Sequence, residues 1–216
     1  MGGEGRAAAL LAAGDERLAG AAAAAGRILV DVGCGDGRHT VRWALREPDA
    51  LVVGIDAETT RLDWALAAAR RRRLPGLLFV TAPAADPPAP LVGRADEIAA
   101  VMPWGSLLDG ILGGDDRVLD GVLALGRPGA TLEAVVNVRP WDAPSSLDRK
   151  LAATPEPTPE HLARLAERYA ERGWLLELPE PLTDADARAL GSTWASRVVS
   201  ARASRLVRLR AARTGE

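Results

Sequence analysis

Ile28-Leu-Val-Asp-Val-Gly-Cys-Gly-Asp-Gly37 carries the strongest fold signal in the chain. Its first residues form a short, β-branched apolar run that ends at glycines, the pattern of a strand buried on both faces of a parallel sheet. Glycines follow at every second position, and a helical pattern begins at once, over 38–47, stopped by Pro48. Working outward, strands are expected at 27–32, 51–55, 77–80, 97–102 and 130–138, and later at 174–178 and 204–210. Helices are expected from Thr59 or Thr60, as cap, to about Arg73, over 115–125 and over 159–172. A further helix, in two pieces broken near Gly191, is expected over 184–200. The four prolines between Ala82 and Pro90 mark a loop, and five prolines in 139–159 mark a long connection. Alternating strands and helices imply an α/β, doubly wound, Rossmann-like fold. The sheet should be mostly parallel and seven-stranded, with an antiparallel last strand lying at its edge. Residues 1–26 read as an N-terminal extension, a short helix or frayed tail.

The glycine turn carries chemistry as well as topology. Glycines allow a tight bend and close approach of a ligand, and a helix N-terminus offers free N–H groups. A dinucleotide turn would place its third glycine at 38, which is Arg38. The spacing is instead Gly33-x-Gly35-x-Gly37, with two acids, Asp31 and Asp36. Carboxylates suit a cationic ligand and disfavour a pyrophosphate. S-adenosylmethionine, with an ammonium, a sulfonium and no phosphate, is therefore the expected cofactor. Asp56 ends the second strand, where an acid can accept hydrogen bonds from ribose hydroxyls.

Composition narrows the class. The chain has 216 residues, 48% of them hydrophobic, with a formal net charge of −2. No apolar run reaches membrane-spanning length, and the interrupted Ala-rich start is a poor signal peptide. One cysteine, Cys34, and two histidines, His39 and His161, offer neither a disulfide framework nor a metal site. A cytoplasmic monomer without metal is expected. Arginine has replaced lysine almost everywhere: Lys150 is the single lysine. The cations cluster at Arg70–Arg73 and again after Trp194, and such patches can dock on phosphate even in a nearly neutral protein.

Trp104 follows an apolar run and sits between Pro103 and Gly105, so it reads either as a displayed ring or as a core aromatic at a strand end. A displayed ring beside a cofactor turn suggests a flat substrate such as a nucleobase. Trp43 and Trp64 read as helix packing, Trp174 as the start of a strand, and Trp141 as part of the proline-rich connection. His39 reads as a first-turn helix residue and Cys34 as a space-filler.

The strand and turn 28–37 resemble the first motif of Rossmann-fold methyltransferases. Met102-Pro-Trp-Gly-Ser-Leu-Leu108 and Ser192-Thr-Trp-Ala-Ser-Arg197 are similar to segments of a narrower group. These are the aminoglycoside-resistance methyltransferases of the kanamycin–apramycin type, which modify N1 of adenine 1408 in 16S ribosomal RNA. The resemblance runs from about residue 27 to 210 and makes 27–216 the methyltransferase domain, with long connections at 139–159 and 184–203. It implies that Asp31, Gly33, Gly35, Gly37, Asp56, Ala57 and Ala84 hold S-adenosylmethionine, with Val101 and Ser106 at its methionine end. Trp104 and Trp194 would sandwich the target adenine. Arg70, Arg71, Arg72, Arg73, Arg197 and Arg202 would contact rRNA in the 30S subunit. Two departures stand out: Ala85 where the family often has Glu, and no sign of an N-terminal β-hairpin. A methyltransferase for a small aromatic metabolite and a non-catalytic ribosome-binding protein remain alternatives at this level.

Overall fold

The computed structural model describes residues 9–138, 154–200 and 205–215. Among the described residues nine strands form one sheet: β1 (Ala9–Ala12), β2 (Ile28–Val32), β3 (Leu51–Asp56), β4 (Leu77–Thr81), β5 (Ala95–Val101), β6 (Gly126–Asn137), β7 (Trp174–Leu176), β8 (Glu180–Pro181) and β9 (Leu206–Arg213). The described helices are α1 (Glu16–Ala24), α2 (Arg38–Arg46), α3 (Asp63–Arg72), α4 (Ser106–Ile111), α5 (Asp116–Ala124), α6 (Pro159–Ala170), α7 (Asp184–Ala189) and α8 (Thr193–Ser200).

The strand order is β1-β4-β3-β2-β5-β6-β9-β7, with β8 also paired to β9. From β1 to β6 every pairing is parallel, and β9 runs antiparallel to β6, β7 and β8. The chain winds from β2 outward to β4, then crosses back to β5 and winds the other way. Strand order therefore reverses between β2 and β5, which opens a crevice at their carboxyl ends. The period-2 alternation of strands sorts the core. Ile28, Val30 and Val32 join the layer beneath α1, α4, α5 and α6, whereas Leu29, Val52 and Phe79 join the layer beneath α2 and α3. Local chemistry starts the helices: Asp115 accepts from the N–H groups of Arg117 and Val118, and Thr183 with Asp186 forms a capping box.

All seven expected strands are present, together with the mostly parallel order and the antiparallel β9. The expected seven-stranded sheet is corrected to nine strands among the described residues, β1 and β8 being the additions. Three further expectations are corrected. Residues 9–24 belong to the domain: β1 pairs in register with β4, and Leu11 and Leu18 enter the main core. Strand β9 lies inside the sheet between β6 and β7, because Leu206, Leu209 and Ala211 are buried and both of its edges are paired. Helix α3 starts at Asp63, not at a threonine cap; the Thr59 and Thr81 hydroxyls bond each other at 2.9 Å instead. The proline-rich segment 139–153, with Trp141, is outside the described residues, as is Arg202.

Leu18 is 0% exposed on α1. Leu18→Ala should lower unfolding free energy by about 2–4 kcal/mol, the cost of a buried leucine cavity. Denaturant unfolding reads this directly, and a change below about 0.5 kcal/mol would mean that α1 does not share the core.

Candidate functional site

The crevice is built first by backbone. Gly33, Gly35 and Gly37 all adopt left-handed φ, at 72°, 58° and 71°. Gly33 and Cys34 donate their N–H groups to the carbonyl of Ile55 at 2.7 and 3.1 Å, stitching the turn to the end of β3. Gly35 donates to Oδ2 of Asp56 at 2.8 Å, while Oδ1 accepts from Glu58 at 2.9 Å. The Asp56 carboxylate is thus locked in one orientation. The glycines differ in what they permit. A Cβ on Gly37 would stand 2.7 Å from the Ala65 Cβ and 2.9 Å from the Phe79 ring, so that glycine lets α2 close on the core. A Cβ on Gly33 would strike Leu107 of α4 at 2.5 Å. A Cβ on Gly35 would meet only the Gly33 carbonyl, at 4.0 Å, because Gly35 borders the open cleft.

That cleft has a volume of about 340 Å³. Its walls bring together Gly33, Gly35, Asp56, Ala57, Ala84, Val101, Trp104 and Ser106 from the expected set, with Ala85 beside Ala84. Gly37 caps α2 below it. Asp31 is not on the wall. It lies beneath the turn, 1% exposed, and accepts a 2.6 Å hydrogen bond from the Thr40 hydroxyl. Burial pushes its pKa up, and the nearby His39 opposes that shift. Burial also raises the Cys34 thiol well above its ordinary value, so the thiol is inert. Carboxylates, backbone amides and apolar walls together fit a nucleoside bearing a cationic tail.

Trp104 is displayed rather than packed: it is 53% exposed at the mouth of the cleft. The turn that presents it is strained. Met102 has φ +58°, unusual for a side chain of its size, and costs on the order of 1–3 kcal/mol. Its N–H bonds the Val135 carbonyl at 2.9 Å, and its side chain packs with Val135, Val199 and Leu206. Gly105, at φ 59° and ψ −135°, completes the reversal before α4.

Several site residues were not legible in the sequence. Thr193 of α8 donates to Oδ2 of Asp36 at 2.5 Å. Nδ1 of His39 donates to the Leu190 carbonyl at 2.7 Å. These bonds, across 157 and 151 residues of chain, tie the α7–α8 segment to the glycine turn. Trp194 follows Thr193 on α8; its side chain is outside the described residues. Ser192 and Arg61 also reach the cleft wall. Arg70, Arg71 and Arg72 form the exposed last turn of α3, with Arg73 as its left-handed C-cap. Arg197 is exposed on α8 and lies outside the cleft. Among the described residues no cluster of His, Cys, Asp or Glu could hold a metal ion, and no helix is long and apolar enough to cross a membrane.

Comparison with known proteins agrees with this geometry. The family model NpmA, 16S rRNA (adenine(1408)-N(1))-methyltransferase, matches residues 5–213. A 16S rRNA (adenine(1408)-N(1))-methyltransferase of Streptoalloteichus hindustanus is 40% identical over 180 residues, 81% of each chain. A mutant of the enzyme of the same name from Catenulisporales acidiphilia, solved with its cosubstrate SAM, superposes with a TM-score of 0.78 at 36% identity. That match covers 92% of this chain and 91% of the other. The 16S rRNA methyltransferase KamB gives a TM-score of 0.79 at 33% identity, over 93% and 94% of the two chains.

The unequal surroundings of two glycines make a paired test. Gly37→Ala should cost about 2–4 kcal/mol of stability, from left-handed strain plus overpacking. Gly35→Ala should cost only about 1–2 kcal/mol yet weaken S-adenosylmethionine binding at least tenfold. Thermal melts and calorimetry separate the two effects; equal stability losses, or unchanged binding by Gly35→Ala, would contradict these assignments.

Proposed function

This chain belongs to the 16S rRNA (adenine(1408)-N(1))-methyltransferase family, and we infer that it methylates N1 of adenine 1408 in 16S rRNA, using S-adenosylmethionine, and so confers aminoglycoside resistance. One observation carries this reading at the level of side chains. A single cleft holds both the Asp56–Gly35 cradle and the displayed ring of Trp104.

Asp56, with both oxygens already oriented, would receive the ribose, and Gly33, Gly35, Ala57 and Ala84 would line the nucleoside. Val101 and Ser106 would border the methionine end, and Asp31 would add negative potential from beneath the turn. When bound, S-adenosylmethionine supplies an electrophilic methyl group on a sulfonium. Adenine N1 carries an in-plane lone pair and needs no deprotonation, so the protein has to position the base rather than take a proton from it. The cleft is consistent with that division of labour. Cys34 is held protonated, and Asp36 and Asp56 are engaged in hydrogen bonds. The same chemistry calls for no metal.

N1 lies on the pairing edge, so the base must leave its stack, at a cost of a few kcal/mol. Stacking on an aromatic platform returns about 1–3 kcal/mol per base. Two platforms offset extrusion where one falls short, and we assign them to Trp104 and Trp194. The Thr193–Asp36 bond supports this pairing, because it anchors the helix bearing Trp194 to the cofactor turn. Arg70–Arg73, Arg197 and Arg202 would dock on phosphates of the 30S subunit, reading shape rather than sequence. One chain carries both walls of the cleft, which supports action as a monomer. A ribosomal substrate supports a cytoplasmic location.

Purified protein should transfer a tritiated methyl group to 30S subunits. Trp104→Ala and Trp194→Ala should each lower kcat/KM at least tenfold, within the range for one stacking platform. The half-exposed Trp104 should be replaceable with little change in melting temperature. Full transfer by both variants would overturn the clamp.

A further inference from the structure

Beside the cofactor cleft, and sharing Ser192 with it, runs a second and larger groove of about 790 Å³ between α2, α3 and α8. Arg38, Arg42, Trp64, Arg72 and Arg197 line it, and no carboxylate does among the described residues. Many arginines elsewhere in the fold face acids. Arg27 pairs with Glu47 and Glu97, Arg127 with Asp96, Arg172 with Asp116 and Asp120, and Arg208 and Arg210 with Glu133 and Glu180. Arg42 and Arg72 have no such acid partner among the described residues. In a chain of formal net charge −2, guanidinium groups gathered around a groove whose described lining holds no carboxylate create a local positive field.

The groove is also ordered. Arg38 stacks over the Trp64 ring with its Cζ 4.0 Å from the ring centroid, and Trp64 is 37% exposed. The Arg38 Nε faces Oδ2 of Asp36 at 3.4 Å. Stacking and pairing hold the guanidinium plane, so its terminal N–H groups can meet an anion with little further loss of side-chain freedom. Arg38 and Arg42 are four residues apart on α2 and so share one face, about one helical turn along the axis. That separation suits neighbouring phosphates on one RNA strand, each met by the planar fork of an arginine.

We propose that the Arg38–Arg42–Trp64 groove binds the phosphodiester backbone of an rRNA strand flanking the target nucleotide. The strand would bridge the cofactor cleft, through Ser192, to the Arg70–Arg73 run, through Arg72. The proposal rests on the assignment of 16S rRNA as substrate and extends the docking surface to residues outside those clusters.

Equilibrium binding of the full-length protein to 30S subunits over a series of salt concentrations tests it. Each lost phosphate contact lowers the slope of log affinity against log salt by about 0.7–0.9, which is about fivefold in affinity near physiological salt. Arg42→Gln should show that loss, and the Arg38→Gln/Arg42→Gln double variant about twice the slope change. Arg42→Lys, which keeps the charge, should restore the slope. S-adenosylmethionine binding and melting temperature of Arg42→Gln should match the wild type, excluding a folding defect. Affinity within twofold of wild type at unchanged slope overturns the proposal, as does a loss of affinity without a slope change, which would point to a protein contact. Those outcomes leave methylation by the wild type intact; failure of the wild type itself to bind 30S subunits would instead remove the underlying assignment along with the groove.

Discussion

The Asp56 carboxylate accepts from the Gly35 N–H at 2.8 Å on one oxygen and from the Glu58 N–H at 2.9 Å on the other. This grip fixes the turn after β2 against the end of β3, and the rest of the site depends on that alignment. With the turn held, Gly37 lets α2 pack onto Ala65 and Phe79, Gly33 leaves room for Leu107 of α4, and Asp36 is offered to Thr193 of α8. Three elements far apart in sequence thereby converge on one crevice, at the point where strand order reverses. The open side of Gly35 then leaves space for a ligand where a side chain would intrude.

The structure carries two local costs at this centre. Asp31 is a carboxylate buried beneath the turn, and Met102 holds a left-handed backbone before Pro103. Each is offset nearby: Asp31 by the Thr40 hydroxyl and His39, Met102 by its N–H bond to Val135 and by packing against Val199 and Leu206. Asp31 sets a carboxylate directly beneath the glycine turn, and the Met102 backbone turns Trp104 outward instead of letting it join the core.

Much of this was legible in the sequence, for identifiable reasons. The β2–turn–α2 unit is spelled by β-branched residues and three glycines whose φ angles demand them, and Asp56 ends an unmistakable apolar run. Strand β1 leaves no strand signal in the sequence, because Ala9-Leu-Leu-Ala12 has helix-forming composition and becomes a strand only by pairing with β4. Helix α4 leaves no clear signal either, because it is six residues long and its N-cap, Gly105, offers no side-chain cap. The alternation in β9 suggested an edge strand, since its half-buried arginines look solvated until Glu133 and Glu180 are placed beside them. Contacts such as Thr193–Asp36 leave no periodic trace at all. Arginine count is equally uninformative alone; only the positions of the acids separate Arg42 and Arg72 from arginines such as Arg172 and Arg208.

The proposed reaction changes one atom on one nucleotide. A methyl group on N1 of adenine blocks its pairing edge and halts reverse transcription. The most direct measurement is therefore primer extension across the decoding site of 16S rRNA from cells expressing this protein, against cells lacking it. Methylation of N1 should give a strong stop at adenine 1408 that appears only with expression. Read-through at that nucleotide with the protein present and folded, or a stop at a different base, would contradict it.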